Sequence, residues 1–245
     1  MKKIICMFFT VICLSVLFSA CSTQTHSNPL MTPSDYVHLC DYTAFEFSKD
    51  DINCSDNEAW VSIKMKLQSE GVNIEDRKDF TDELAVKYFF APSSSIAFSN
   101  IKQEVISHRI CESAYERLIF GSMVKVPEEA IEYAERLIEK EKTEALKNGI
   151  SEKDFFTKHL ECTEEEIRED LINNYMEMII VRAWAEKENI VISNDYINEK
   201  IEEIAEDEEI SRDEVLAEYE PIVIEHYILC DKLTDYFMEH YMKNI

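Results

Sequence analysis

Residues 163–189 read TEEEIREDLINNYMEMIIVRAWAEKEN, and this stretch decides the fold class. It opens with Thr163 followed three residues later by Glu166, a capping box in which each side chain bonds the other residue's backbone N–H. Its middle, Tyr175–Ala185, is apolar at nine of eleven positions. A helix that is apolar all round is usually buried on several sides. The stretch therefore predicts a long, central helix ending at Asn189.

Similar start and stop signals surround this helix. Downstream and upstream of it, serine caps, a Val-Pro-Glu-Glu start and stops at glycine or proline predict further helices. The predicted helices run from Ser55 to Gly71, Asp79 to Phe90, Ser99 to Phe120, Pro127 to Gly149, a short piece after Ser151, Ser193 to Ala205, Ser211 to about Pro221, and Ile222 to Lys243. Alternating apolar residues in 35–49 predict a short extended segment. The expected fold is an all-α, multi-helix arm or bundle with a short extended N-terminal segment.

The composition excludes several function classes. With only 3 glycines in 245 residues, the chain cannot contain a dinucleotide-binding fingerprint, a P-loop or a nucleophile elbow. The formal net charge of −25 argues against nucleic acid as a partner, because phosphate binding needs a basic surface. The chain is therefore expected to be acidic, helical and not a conventional enzyme.

The N-terminus has the pattern of a secretory signal. Two lysines precede an apolar run over 4–18, which is too short for a comfortable membrane span, and small residues precede Cys21. This resembles the lipobox of bacterial lipoproteins, which implies cleavage before Cys21 and lipid on its sulfur. The predicted organisation is a signal peptide at 1–20, a flexible tether at 21–34, an extended segment with helices at 35–125, and a helical domain at 126–245. Anchoring to a bacterial membrane outside the cytoplasm follows from that resemblance.

From residue 126 onward the pattern of helix starts and helix ends resembles that of the C-terminal domain of trigger factor, a ribosome-associated chaperone. The segments that match are VPEEAIE, KNGISEKDFF, CTEEEIREDL and AEKENIVISNDYINEKIEEIAED, which is followed by ISRDEVLAEY. The segment DFTDELAVKYF, upstream of residue 126, matches as well. The isomerase domain of that family would stand at about residues 71–78, where too few residues are present, and no ribosome-binding domain precedes it. The resemblance, which extends to SurA and PrsA-like extracytoplasmic chaperones, implies a lipid-anchored holdase. Such a protein would bind unfolded secreted polypeptides and would need no ribosome, ATP or other cofactor.

A holdase needs apolar patches that a client can reach. Two apolar helices supply the candidates, although helical spacing alone cannot separate a binding face from a core face. On the central helix and on the last helix, the candidate client-binding residues are Met176, Ile180, Trp184, Tyr236, Phe237, Tyr241 and Met242.

Two alternative functions stay open at this point, and a disulfide framework and a metal site are set aside. A prolyl isomerase, as family naming would suggest, and an adaptor that binds one folded membrane partner are the alternatives. Five cysteines remain after Cys21, and an odd, scattered set is not a disulfide framework. His and Cys occur close together at 38–40, 108–111 and 226–230, but two ligands do not make a zinc site, so no metal site is expected.

Overall fold

The described chain is helical, in agreement with the all-α prediction. A computed structural model describes residues 35–160 and 162–242, and the predicted signal peptide, tether and Cys21 lie outside them. The elements are numbered here in chain order, and a two-stranded sheet is the only sheet within the described residues. They are β1 Val37–His38, α1 Asp56–Ser69, α2 Asp82–Phe89, α3 Ser94–Gly121, β2 Met123–Val124, α4 Glu128–Lys147, α5 Glu152–Asp154 (continued by a π-helical turn, Phe155–His159), α6 Glu164–Lys187, α7 Asn194–Asp207, α8 Arg212–Glu218 and α9 Pro221–Tyr241.

The chain divides into two compact units. Within the described residues, unit 1 contains 35–39 together with 122–233, and unit 2 contains 40–121 together with 234–242. The first part of α9 thus belongs to unit 1 and its last two turns to unit 2. The domain division into 35–125 and 126–245 that the sequence suggests stays a prediction.

Unit 1 is built around α4 and α6. Tyr133 of α4 and Tyr175 of α6 contact each other in a tilted arrangement, with ring centroids 5.2 Å apart, in one core cluster that also holds Ile222 of α9. β1 and β2 pair antiparallel, Val37 opposite Val124, and both valines pack against that cluster. A second cluster joins α7, α8 and α9, because each presents one apolar stripe to the other two.

Unit 2 packs α1 and α2 against α3. Ala59, Ile63 and Leu67 recur every four residues on α1, so they form one stripe and are fully buried. Phe80, between α1 and α2, completes this core together with Phe98 of α3. The link from α1 to α2 runs through 70–81 and contains one 3-10 turn, Arg77–Asp79.

Most predicted helix starts are confirmed, two are displaced, and the extended segment is shorter than predicted. The helix predicted from Asp79 begins at Asp82, because Thr81 accepts the N–H of Leu84 and caps it. The helix predicted to start at Ser99 begins at Ser94, because Ser93 directly after Pro92 accepts the N–H of Ile96 and so provides the cap; Ser99 lies exposed inside the helix. The segment predicted to be extended over 35–49 forms a strand only at Val37–His38. Beyond it, Asp41 accepts hydrogen bonds from the N–H and hydroxyl of Thr43 and turns the chain.

Candidate functional site

The candidates on the central helix are mostly core residues. α6 begins at the predicted capping box, in which Glu166 N–H donates to the Thr163 hydroxyl and Thr163 N–H to the Glu166 carboxylate, at 3.2 and 2.8 Å. Ile180 is 3% exposed and Trp184 is fully buried, whereas Met176 keeps part of its surface. The apolar part of α6, from Tyr175 to Ala185, is therefore mostly covered by packing partners.

The candidates on the last helix form an aromatic cluster in unit 2. Phe237 and Tyr241 are buried, and the Tyr241 hydroxyl donates to the Tyr42 carbonyl. The Tyr241 ring lies 4.9 Å from that of Phe47, in edge-to-face geometry. Burial raises the pKa of Tyr241 above its usual range. The cluster therefore holds the segment after Cys40 against the end of α9.

The client-binding set predicted from sequence is thus corrected by burial. Four of its side chains lie inside the structure and cannot touch a client in this conformation: Ile180, Trp184, Phe237 and Tyr241. The other three are partly exposed: Met176, Tyr236 and Met242. The physical reason is that a hydrophobic run gives no information on how many neighbours will cover it.

Two pairs of apolar side chains in unit 2 face solvent instead. On α1, Val61 and Met65 are 43% and 65% exposed, and they lie opposite the buried stripe of that helix. On α2, Val86 is 55% exposed, and Phe90, directly after the helix, is 93% exposed. Val61 and Met65 have the four-residue spacing that places side chains on one helix face. Phe90 follows Val86 by four residues too, but it lies at the left-handed end of α2, outside the helical backbone. The sequence signal that could have found them is an apolar residue lying off the core stripe.

The charges beside the α2 pair are fixed by hydrogen bonds. Asp82 accepts from the N–H and hydroxyl of Ser94 at 2.7 and 2.8 Å, and these bonds lower its pKa. A hydrogen bond from Thr81 lowers the pKa of Glu83. Lys87 lies over the ring of Tyr88 at 4.8 Å. Two ionised carboxylates therefore occupy the first turn of α2, on the same side as Val86.

Burial holds three reactive side chains of the described residues in their neutral forms. His226 is buried in unit 1, and this burial lowers its pKa to about 4, so it is neutral. Its Nε2 atom lies 3.4 Å from Cys230 Sγ. Burial raises the pKa of the Cys111 and Cys162 thiols, which keeps both protonated. The five cysteines of the described residues are thiols, not joined in disulfides, and within 35–160 and 162–242 no three His, Cys, Asp or Glu side chains are grouped to hold a metal ion.

A shallow surface cavity lies over the small sheet of unit 1. Its volume is about 460 Å³, and residues 35–38 and 123–125 line it. His38 and Met123, which are paired across the strands, are both exposed there. This cavity contains no buried polar group that would orient a small ligand, unlike most cofactor sites.

Comparison with known proteins adds no relative to this description. The chain matches no protein-family model, no curated protein and no solved structure. In the described part of the chain, no helix combines the length and the apolar composition needed to cross a membrane.

Proposed function

We propose that this protein is a lipid-anchored, extracytoplasmic holdase that binds unfolded secreted polypeptides transiently. The observation that carries the proposal is the solvent-facing apolar pairs of unit 2, Val61 with Met65 and Val86 with Phe90, on a chain of net charge −25. The N-terminal pattern ending at Cys21 and the resemblance of the sequence to the trigger factor chaperone domain support the same function.

Apolar side chains on a helix face suit weak and promiscuous binding. Burying apolar surface contributes roughly 25 cal/mol per Å², so two exposed side chains stabilise a complex only modestly. Met65 adds adaptability, since its unbranched thioether repacks against differently shaped partners. A client held this way would dissociate readily and could then fold, without a nucleotide to drive its release.

The acidic charge has a separate role in this proposal. A complex of holdase and unfolded client exposes apolar surface from both chains and is prone to associate further. A large net negative charge opposes that association, because like-charged complexes repel each other. The same charge keeps the body of the protein away from anionic lipid headgroups.

Suppression of aggregation tests the function directly. The full mature chain, with Cys21→Ser so that it stays in solution, is mixed with an unfolded client protein at equimolar ratio. We expect light scattering from the client to fall at least two-fold. The Val61→Ser/Met65→Ser double variant should lose a measurable part of this effect, whereas Leu146→Ser, which replaces a single apolar side chain 60% exposed on α4, should keep it.

The contrary outcomes are distinct. If the mature chain leaves scattering unchanged and binds no unfolded protein, the holdase proposal is wrong. If it accelerates proline-limited refolding of a client, the isomerase alternative gains support. Recovery of a single stoichiometric folded partner from cells would favour the adaptor alternative.

A further inference from the structure

Phe90 has an unusual backbone for its residue type. Its φ of 51° and ψ of 29° are left-handed, at the position that ends α2. The chain uses glycine at the ends of α1 and α4, where Gly71 and Gly149 both have φ of 76°. Glycine adopts this conformation without the steric cost that a Cβ atom adds. A phenylalanine is therefore an unfavourable choice at this cap.

The Phe90 side chain is almost fully exposed, so burial within the fold does not offset the steric cost of its backbone conformation. It is 93% exposed, the highest value among the exposed large apolar side chains of the described residues. The neighbouring Phe89, in contrast, packs into the unit 2 core and contacts Phe80 edge-to-face at 5.4 Å. Strained, exposed residues are found preferentially at sites that bind something.

The charged residues of α2 indicate the chemistry of the ligand that would bind beside Phe90. Asp82 and Glu83 lie one turn before Val86, and within the described residues no lysine or arginine forms an ion pair with either of them. Lys87 has its own neighbours, Tyr88 and Glu70, which raise its pKa. The surface of α2 thus presents exposed apolar side chains, Val86 and Phe90, towards its C-terminal end and two carboxylates in its first turn. Its complement is an apolar side chain with a cationic one about one helical turn away.

We infer that Val86 and Phe90 form the anchor of a docking surface for extended, cationic, apolar segments of unfolded polypeptides. This inference rests on the proposed holdase function and specifies which clients it takes. An anionic lipid surface is a poorer occupant, because Asp82 and Glu83 would be repelled by its headgroups. A second copy of the chain is also a poorer occupant, since it has the same large negative charge.

The test measures binding of two labelled, unstructured peptides to the full mature chain by fluorescence anisotropy. One peptide alternates lysine with leucine and phenylalanine, and the other has glutamate in place of every lysine. We expect the cationic peptide to bind at least ten-fold more tightly at low salt, with the difference shrinking as salt is added. Glu83→Gln should reduce this preference about three-fold, the size of one screened charge contact.

Two substitutions remove the ring without removing the backbone conformation. Phe90→Gly and Phe90→Asn both accept a left-handed cap, so each should fold at least as stably as the parent chain. Either substitution should lower the affinity of the chain for the cationic peptide at least five-fold. The matched control is Phe120→Ala, which removes another exposed phenylalanine of unit 2, 76% exposed near the end of α3, and should leave affinity within two-fold.

The outcomes separate this inference from the proposed function. If Phe90→Gly and Phe90→Asn bind like the parent, or Phe120→Ala weakens binding as much, the anchor is not at Phe90. If the two peptides bind equally, or if Phe90→Gly instead abolishes vesicle binding or self-association, the assigned occupant is wrong. In each of these cases suppression of aggregation by the parent chain would keep the holdase function. Loss of both activities in the parent would refute the function itself.

Discussion

At the residue scale, some left-handed backbone conformations can be predicted from the residue type and others cannot. Gly71, Gly149 and Asn189 all have positive φ and all stand where the sequence predicts a helix end. These residue types tolerate the conformation, so their presence is itself a signal. Phe90 also stands at a predicted helix end, and it has a positive φ as Glu209 does, but neither phenylalanine nor glutamate is a residue type that indicates a left-handed turn. The structure alone shows that Phe90 has a left-handed backbone and that its side chain is exposed.

His226 gives a prediction about pH. Its pKa in the folded chain is about 4, below the unfolded value of 6.5, because burial disfavours the charged ring. The unfolded chain therefore takes up a proton between these values and the folded chain does not, so stability falls as pH drops from 6.5 towards 4. At pH 5 the loss due to this residue should be about 2 kcal/mol.

Urea unfolding at pH 7.5 and pH 5.0 measures this effect. His226→Leu should lose about 2 kcal/mol less stability between the two pH values than the parent chain does. His108→Gln, which removes a histidine whose side chain is 81% exposed, is the control variant. Equal pH dependence in all three proteins would contradict the assignment of a neutral, buried His226.

At the scale of elements, capping chemistry made the helix starts predictable. The caps at Ser55, Thr163, Ser193 and Ser211 are confirmed, and three of these form full capping boxes, at Ser55, Thr163 and Ser211. The start of α3 was missed because a run of serines offers several caps of equal chemical quality. At the observed start, Ser94 donates two hydrogen bonds to Asp82, which lies in another helix. Local sequence cannot supply that contact.

The cap of α6 is the clearest target at this scale. Thr163→Ala removes the hydroxyl that accepts the Glu166 N–H, and it should lower the free energy of unfolding by about 1 kcal/mol. Thr143→Ala, at an exposed position inside α4, should cost nothing, because alanine is the better helix former there. Urea denaturation midpoints compare the two. A loss in Thr143→Ala as large as in Thr163→Ala would show that the capping contact is not responsible.

Ion pairs between helices are a second feature of this scale that the sequence did not predict. Lys142 of α4 is only 13% exposed and lies 2.9 Å from both Glu152 and Glu164. Arg168 of α6 contacts Glu135 of α4 at 2.7 Å as well as two glutamates of its own helix. Glu164 and Arg168 are four residues apart on α6, so these two can pair without any packing between helices. Partners on another helix become neighbours only when the helices pack.

At the scale of the whole molecule, the proposal combines an acidic body with an anchor at Cys21. Buried acyl chains contribute about 0.8 kcal/mol for each CH₂, and more than one chain is needed for stable attachment. Cys21→Ala should therefore shift the protein from the membrane fraction to the soluble fraction of cells. Cys40→Ala, which leaves the N-terminal pattern intact, should remain with the membrane. Equal distribution of both variants would contradict the anchor.

The sequence by itself determined the helical class, nearly all of the helix ends and the acidic character of this protein. These properties depend on contacts between residues a few positions apart, or simply on composition, so they can be read locally. The tertiary structure alone decided which apolar faces are covered. Trp184 and Phe237 are buried and Val86 and Phe90 are exposed, although all four are apolar residues in or next to helices. Burial is a property of what packs on a residue, and those neighbours come from distant parts of the chain.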